Sequence, residues 1–302
     1  MSGQTYYGLR YFVIPTEQES LMKNPNKVEV INNFVYGTKQ NFKKLPLGKR
    51  NGILYFIREI KKGVYLFKFG KQKLLTKHNP TEEDINDNVE EDNYPYVYII
   101  MDTNYQIILI ERNTSIFKDV NEVKAKFQKF VEVHIIKEGY YFKVEEITYE
   151  NKFWKYIENS KEIYSLTLKL NSPNLFGGRL KANKILKFLS KKYNNNQMQF
   201  KLISDKGQLL ITKDNINDFI KYIVGGGGSW ELKSYFDGKR QIIKSNNEKN
   251  VKTVTINENV EENNDKVNEI IKGKVISLEE IMLRKSKPIK KNRRKKDEDK
   301  DD

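Results

Sequence analysis

Two pairs of aromatic and β-branched runs, each joined by a very short turn, constrain the first half of this chain to antiparallel sheet. NGILYFIREI (51–60) and GVYLFKFGKQKLL (63–75) flank residues 61–63, and YVYIIMD (96–102) and QIILIER (106–112) flank TNY. Connections this short join only neighbouring antiparallel strands, because a parallel return needs a dozen residues or more. The second pair is apolar almost throughout, which predicts central strands buried on both faces. QTYYGLRYFVI (4–14) alternates and predicts a further strand.

Helical spacing enters at SIFKDVNEVKAKFQKFV (115–131), where Phe117, Val120, Val123, Phe127 and Val131 recur at three or four residues. The polar stretch HNPTEEDINDNVEEDNYP (78–95) predicts a short acidic helix, with Thr81 as N-cap and Asp84 in its first turn.

Beyond residue 150 strands and helices alternate. EIYSLTLKLN (162–171), QMQFKLIS (197–204), SWELKSYF (229–236), KRQIIKS (239–245) and VKTVTIN (251–257) predict strands, the middle hairpin turning at Gly238. RLKANKILKFLSKKY (179–193) and KDNINDFIKYIV (213–224) predict helices, the second N-capped by Asp214. The fold class expected is α+β, with mostly antiparallel sheets, a few amphipathic helices and two domains. The division expected is a β-rich domain at 1–150 with an acidic insertion, and a basic domain at 151–257. A helical arm at 258–283 for oligomerisation or docking and a disordered charged tail at 284–302 follow.

The 302 residues carry a formal net charge of +15, so an anionic partner is the first expectation. The charge is uneven. Residues 1–75 hold 14 Lys and Arg against 4 Asp and Glu, residues 76–150 hold 8 against 16, and residues 151–250 hold 19 against 8. Cysteine is absent, which removes disulfides and thiolate zinc sites. The start carries Arg10 among alternating aromatics, not a charged leader before an apolar plug, and a cytoplasmic location is expected.

Catalytic patterns are sparse. His78 and His134 stand 56 residues apart, read as a loop residue and a strand-end residue, with no thiol or second imidazole to pair with. No cofactor or metal is expected. Asp218, followed by Glu231 and Lys233, has the carboxylate and Glu-x-Lys spacing of Mg²⁺ nucleases, in which acids hold the ion and lysine steadies water or phosphate. Asp218 falls within a predicted helix, so the nuclease is the alternative enzyme reading. Four glycines, Gly225–Gly228, follow a helix and open a strand, the reverse of a phosphate-loop order. They read either as a plain structural turn or as a tight passage that offers bare N–H groups to phosphate.

The basic surfaces are more telling. Helix 179–193 has an apolar face of Leu180, Ile185, Leu186 and Leu189, with Ala182 and Phe188 at its margins. Arg179, Lys181, Lys184, Lys187, Lys191 and Lys192 occupy the rest with no acid among them. Repulsion between like charges at helical spacing has a cost that an anionic partner relieves. Lys233, Lys239, Arg240 and Lys244 extend this region, and Lys43, Lys44, Lys49 and Arg50 mark a basic loop at 39–52. The expectation is a clamp on duplex DNA between that loop and helix 179–193, without sequence preference. A module that docks an acidic phage or host protein is the other alternative.

The order of elements over residues 53–245 resembles the RexA-type phage exclusion proteins, and more loosely KwaB of the Kiwa defence system. The likeness runs from GVYLFKFGKQKLL through the two hairpins and the 115–131 helix, and continues in YSLTLKLNSPNLFGGRLKANKILKFL and GGGSWELKSYF. It implies a homodimer that binds double-stranded DNA in prophage exclusion, abortive infection or anti-phage defence, beside a small membrane protein. It carries no catalytic motif to these residues.

Overall fold

A computed structural model describes residues 3–16, 26–48, 50–80, 85–172 and 181–283. The expected α+β class is observed, with mostly antiparallel sheets and, among the described residues, six α-helices. The chain runs through β1 (Gln4–Pro15), α1 (Lys27–Gln40), β2 (Lys43–Pro46), β3 (Asn51–Lys61) and β4 (Val64–Lys71). There follow β5 (Lys73–Pro80), β6 (Ile85–Asn93), β7 (Tyr96–Asp102), β8 (Ile107–Glu111), α2 (Val120–Ile135), β9 (Tyr140–Glu146) and α3 (Glu150–Asn159). The rest comprises β10 (Glu162–Asn171), α4 (Lys181–Tyr193), β11 (Gln197–Ile203), α5 (Lys213–Tyr222), β12 (Gly228–Phe236), β13 (Lys239–Lys244), β14 (Thr253–Ile256) and α6 (Asp265–Leu283).

Both predicted hairpins form, and they sit side by side in a large sheet ordered β14-β1-β8-β7-β4-β3-β2. β9 also pairs with β1, beyond the stretch that β14 takes, so the two share one edge of that strand. One face of this sheet lies under α1 and α2. There Leu9, Tyr11, Phe67, Phe69, Ile99 and Ile108 meet Phe34 of α1 and Phe127 and Phe130 of α2. On the other face Leu66, Ile100, Ile107 and Leu109 meet α6. Three layers result, and they explain why β7 and β8 are apolar at nearly every position.

Several local readings change. α2 starts at Val120 because the Asp119 carboxylate caps it, accepting from the Glu122 N–H at 2.9 Å. Residues 115–117 lie outside that helix, with Phe117 stacked on Phe69 at 5.8 Å between centroids. α2 continues to Ile135, so His134 is helical, and its Nδ1 lies 2.7 Å from the Phe130 carbonyl. His78 lies in β5, not a loop. The acidic stretch does not form a helix over 85–93: β5 and β6 pair as an antiparallel ribbon. Physically, β4 and β7 are already neighbours, and the chain simply prolongs their pairing outward. Thr81 and Asp84 lie outside the described residues. Thr212, not Asp214, occupies the N-cap position of α5.

The strand at 253–256, grouped by sequence with the second half, bonds to β1 in the large sheet. The expected arm is one helix packed on its own chain: Val267, Ile271, Val275 and Leu278 fall on one stripe and are buried. Arg58 fastens its approach, donating to the carbonyls of Val260 at 2.9 Å and Glu262 at 2.8 Å.

Near the far end of α6, Glu279 accepts from Arg10 at 2.6 Å, with the side chains only 8% and 3% exposed. Removing one partner strands a buried charge, which costs about 3–5 kcal/mol. Urea unfolding of Glu279→Leu should show a loss of that order. The double variant with Arg10→Met should lose less than the two single losses added together; additivity would mean that the pair is not coupled.

Burial holds the His134 imidazole below its ordinary pKa, and nearby Lys43 and Lys137 add to this against the Phe130 carbonyl. The unfolded chain therefore takes up a proton that the folded chain refuses, and stability falls as pH drops below about 6.5. The stability advantage of the native protein over His134→Leu should shrink between pH 7 and pH 5. A constant difference would show that the imidazole is not shielded.

Candidate nucleic-acid interface

The second sheet is ordered β11-β10-β12-β13, antiparallel throughout. Its period-2 alternation sends Leu166, Leu168 and Leu170 of β10, Trp230 and Leu232 of β12 and Ile243 of β13 to one side. There they meet Phe153 and Trp154 of α3, Ala182 and Leu186 of α4, and Ile220 and Tyr222 of α5. The intervening residues point the other way, onto a face with many exposed side chains.

The register fixes what that face presents. One row across the strands reads Lys201, Thr167, Glu231, Lys244, and the next reads Ile203, Ser165, Lys233, Ile242. Lys169 lies above the first row, opposite Gln199, and Arg240 below the second, opposite Tyr235. Five cations thus share one face with two carboxylates, Glu231 and Glu162. Lys244 lies 3.3 Å from Glu231, with both side chains solvated, so this pair neutralises little. A β-bulge between Ile163 and Ser165 turns Tyr164 under the Arg240 guanidinium, 3.7 Å from the ring centroid. The Tyr164 hydroxyl donates to Glu162, and that bond holds its pKa above the ordinary phenol value.

The predicted basic residues do not converge as expected. Lys233, Arg240 and Lys244 lie on this open face, while Lys239 stands exposed beside the hairpin turn. Lys184, Lys187, Lys191 and Lys192 are exposed on α4, which packs against the opposite face. Lys43, Lys44 and Arg50 lie at the β2 edge of the large sheet, where Lys44 sits 5.5 Å from the Tyr94 ring centroid. Six strand spacings, about 29 Å, separate that edge from β9 and β14. Among the described residues, therefore, no single trough joins 39–52 to α4, and the predicted loop is the end of α1, the strand β2 and a turn. Lys49 and Arg179 lie outside the described residues, as does the side chain of Lys181.

The face of α4 also differs from the sequence reading. Ala182, Asn183 and Leu186 point inward, whereas Ile185 and Phe188 are 45% and 62% exposed. The outer surface of α4 is thus mixed lysine and apolar, with Lys192 5.9 Å from the Phe188 ring centroid. Two cations of the open face, Lys169 and Lys201, escaped the sequence reading. The alternation of EIYSLTLKLN and QMQFKLIS held the signal, but it needed the register between strands to become a surface.

The nuclease trio is split by the sheet. Asp218 belongs to α5 on the helical side, and Glu231 and Lys233 project from the open side. Among the described residues no group of three His, Cys, Asp or Glu side chains is placed to hold a metal ion.

The glycine run is a structural passage. Residues 225–228 are buried in a π-helical turn and the first residue of β12, and Arg10 Nε donates to the Gly225 carbonyl at 2.7 Å. Gly226 has φ +88°, and a Cβ there would stand 2.6 Å from the Arg10 Cβ. A Cβ on Gly228 would come within 2.0 Å of the Lys169 carbonyl oxygen. Backbone so enclosed is not offered to phosphate.

No protein-family model matches the chain, and no curated protein gives a significant match.

Gly226→Ala should lower stability by about 1–2 kcal/mol from the left-handed backbone alone, with the contact to Arg10 adding to it. In a mobility shift with duplex DNA the folded fraction should behave as the native chain does. Loss of affinity without loss of stability would return the glycines to a phosphate role.

Proposed function

We propose that this chain binds the phosphate backbone of double-stranded DNA, without sequence preference, through the open face of the β11-β10-β12-β13 sheet. The observation that carries the reading is the row register, which brings Lys169, Lys201, Lys233, Arg240 and Lys244 onto one solvent-facing surface, with Lys244 paired to Glu231 as the one ion pair among the described residues there. Lysines on a rigid sheet hold a fixed spacing, and a polyanion gives them neutralisation that each would otherwise take from salt. Base-edge readout needs a helix or ribbon fitted into a groove, and this broad face supplies neither, so phosphate contacts dominate. The setting in prophage exclusion or anti-phage defence is proposed on the resemblance of element order. Among the described residues no helix is long and apolar enough to cross a membrane.

Mobility shift with duplex DNA, single-stranded DNA and RNA over a salt series tests this. About five phosphate contacts give a slope of log affinity on log salt near −4.5 for duplex. Lys169→Glu and Lys201→Glu should each weaken binding to every sequence alike and flatten the slope by about one. Lys43→Glu with Lys44→Glu, at the far edge of the large sheet, should change little. Equal sensitivity at both places would remove the sheet face from the proposal.

A further inference from the structure

The two edges of the small sheet are unlike. β13 carries Lys239, Arg240 and Lys244 along six residues, and β2, which closes the large sheet, carries Lys43, Lys44 and Pro46. Both have the charges or proline that keep an edge from pairing with another chain. β11, Gln197–Ile203, has one lysine in seven residues and no proline. Three of its four apolar side chains are left largely to solvent: Phe200 is 38% exposed, Leu202 43% and Ile203 61%, whereas Met198 packs against the core. Among the described residues β10 is its only strand neighbour.

We infer that β11 pairs antiparallel with β11 of a second copy of this chain, about a two-fold axis at Phe200. The sequence of the strand complements itself in that register. Phe200 meets its own equivalent, and Met198 meets Leu202 on the side that faces the helices. Gln199 meets Lys201, and Gln197 meets Ile203, on the open side. No lysine stands opposite a lysine, whereas an axis at Lys201 would place the two ammonium groups face to face. An axis at Gln199 leaves Leu202 and Ile203 without partners in the strand. A register that pairs even-numbered with odd-numbered residues would put the helices of the two copies on opposite faces and has no two-fold axis. The axis at Phe200 keeps all helices on one side and pairs all seven residues.

The pairing stands independently of the nucleic-acid reading, but one consequence rests on it. Two four-stranded sheets become one of eight strands, and the two open faces join with Lys201 of each copy near the axis. Eight strand spacings come to about 38 Å, the length of about eleven base pairs.

The chain has no cysteine, so single introduced thiols report the register without background. Opposed residues of an antiparallel pair have Cα atoms about 4.5–5.5 Å apart, within disulfide range. Phe200→Cys should cross-link into a dimer under mild oxidation. Ile203→Cys, about 20 Å from its equivalent, should not. Light scattering without nucleic acid should give twice the chain mass, falling to the monomer mass in Leu202→Asp, whose thermal unfolding and circular dichroism check that it folds. A native monomer at every concentration, a dimer that survives Leu202→Asp in folded form, or preferential cross-linking at Ile203→Cys would overturn the pairing. With duplex DNA, the occluded length should be about halved in Leu202→Asp. A dimer whose occluded length equals that of the variant would overturn the joined face and leave the pairing intact.

Discussion

Arg10 holds the parts of this molecule in register. Its side chain is 3% exposed, and a cation so far from water is tolerated only where charge and hydrogen bonds surround it. Nη2 meets Glu279 of α6 at 2.6 Å, Nε meets the Gly225 carbonyl at 2.7 Å, and Nη1 meets the Tyr105 carbonyl at 2.7 Å. One guanidinium thereby fixes β1, the last covering helix, the turn between β7 and β8, and the passage into β12. The planar fork suits this task, since a lysine in the same place has no such directed set of donors.

A second clasp lies beside it. Asn171, at the end of β10, is fully buried; its carbonyl accepts from the Tyr222 hydroxyl at 2.8 Å, and its side-chain oxygen accepts from Lys143 at 2.7 Å and Gln197 at 2.9 Å. Its amide donates to Glu145 of β9 at 3.1 Å. Together with Arg10 this seam ties the small sheet to the β1–β9 edge of the large one. The helices α3, α4 and α5 then occupy one side of the small sheet, and the lysines are left to the other.

The hairpins, the α2 stripe and the strands of the second half were legible because their signals are local: turn length, alternation and helical spacing act within a dozen residues. The acidic ribbon was misread because Asp and Glu after Thr81 satisfy helix-start chemistry equally well, and only the β4–β7 pair determines that the chain continues as strands. The face of α4 was misread for a related reason. Ile185 and Phe188 are apolar enough to face a core, but the helix turns Ala182, Asn183 and Leu186 to the sheet and leaves those two outward.

The sequence by itself determined the fold class, the antiparallel pairing, the surplus of positive charge and its concentration outside the middle of the chain. Those follow from side-chain chemistry and from spacings along the backbone. Tertiary structure alone decided which cations share a surface. Register sets Lys169 and Lys201 beside Lys233 and Lys244, and strand order carries Lys43 and Lys44 to the far edge. Distance between charges in space is set by which strands are neighbours, and no local spacing encodes it.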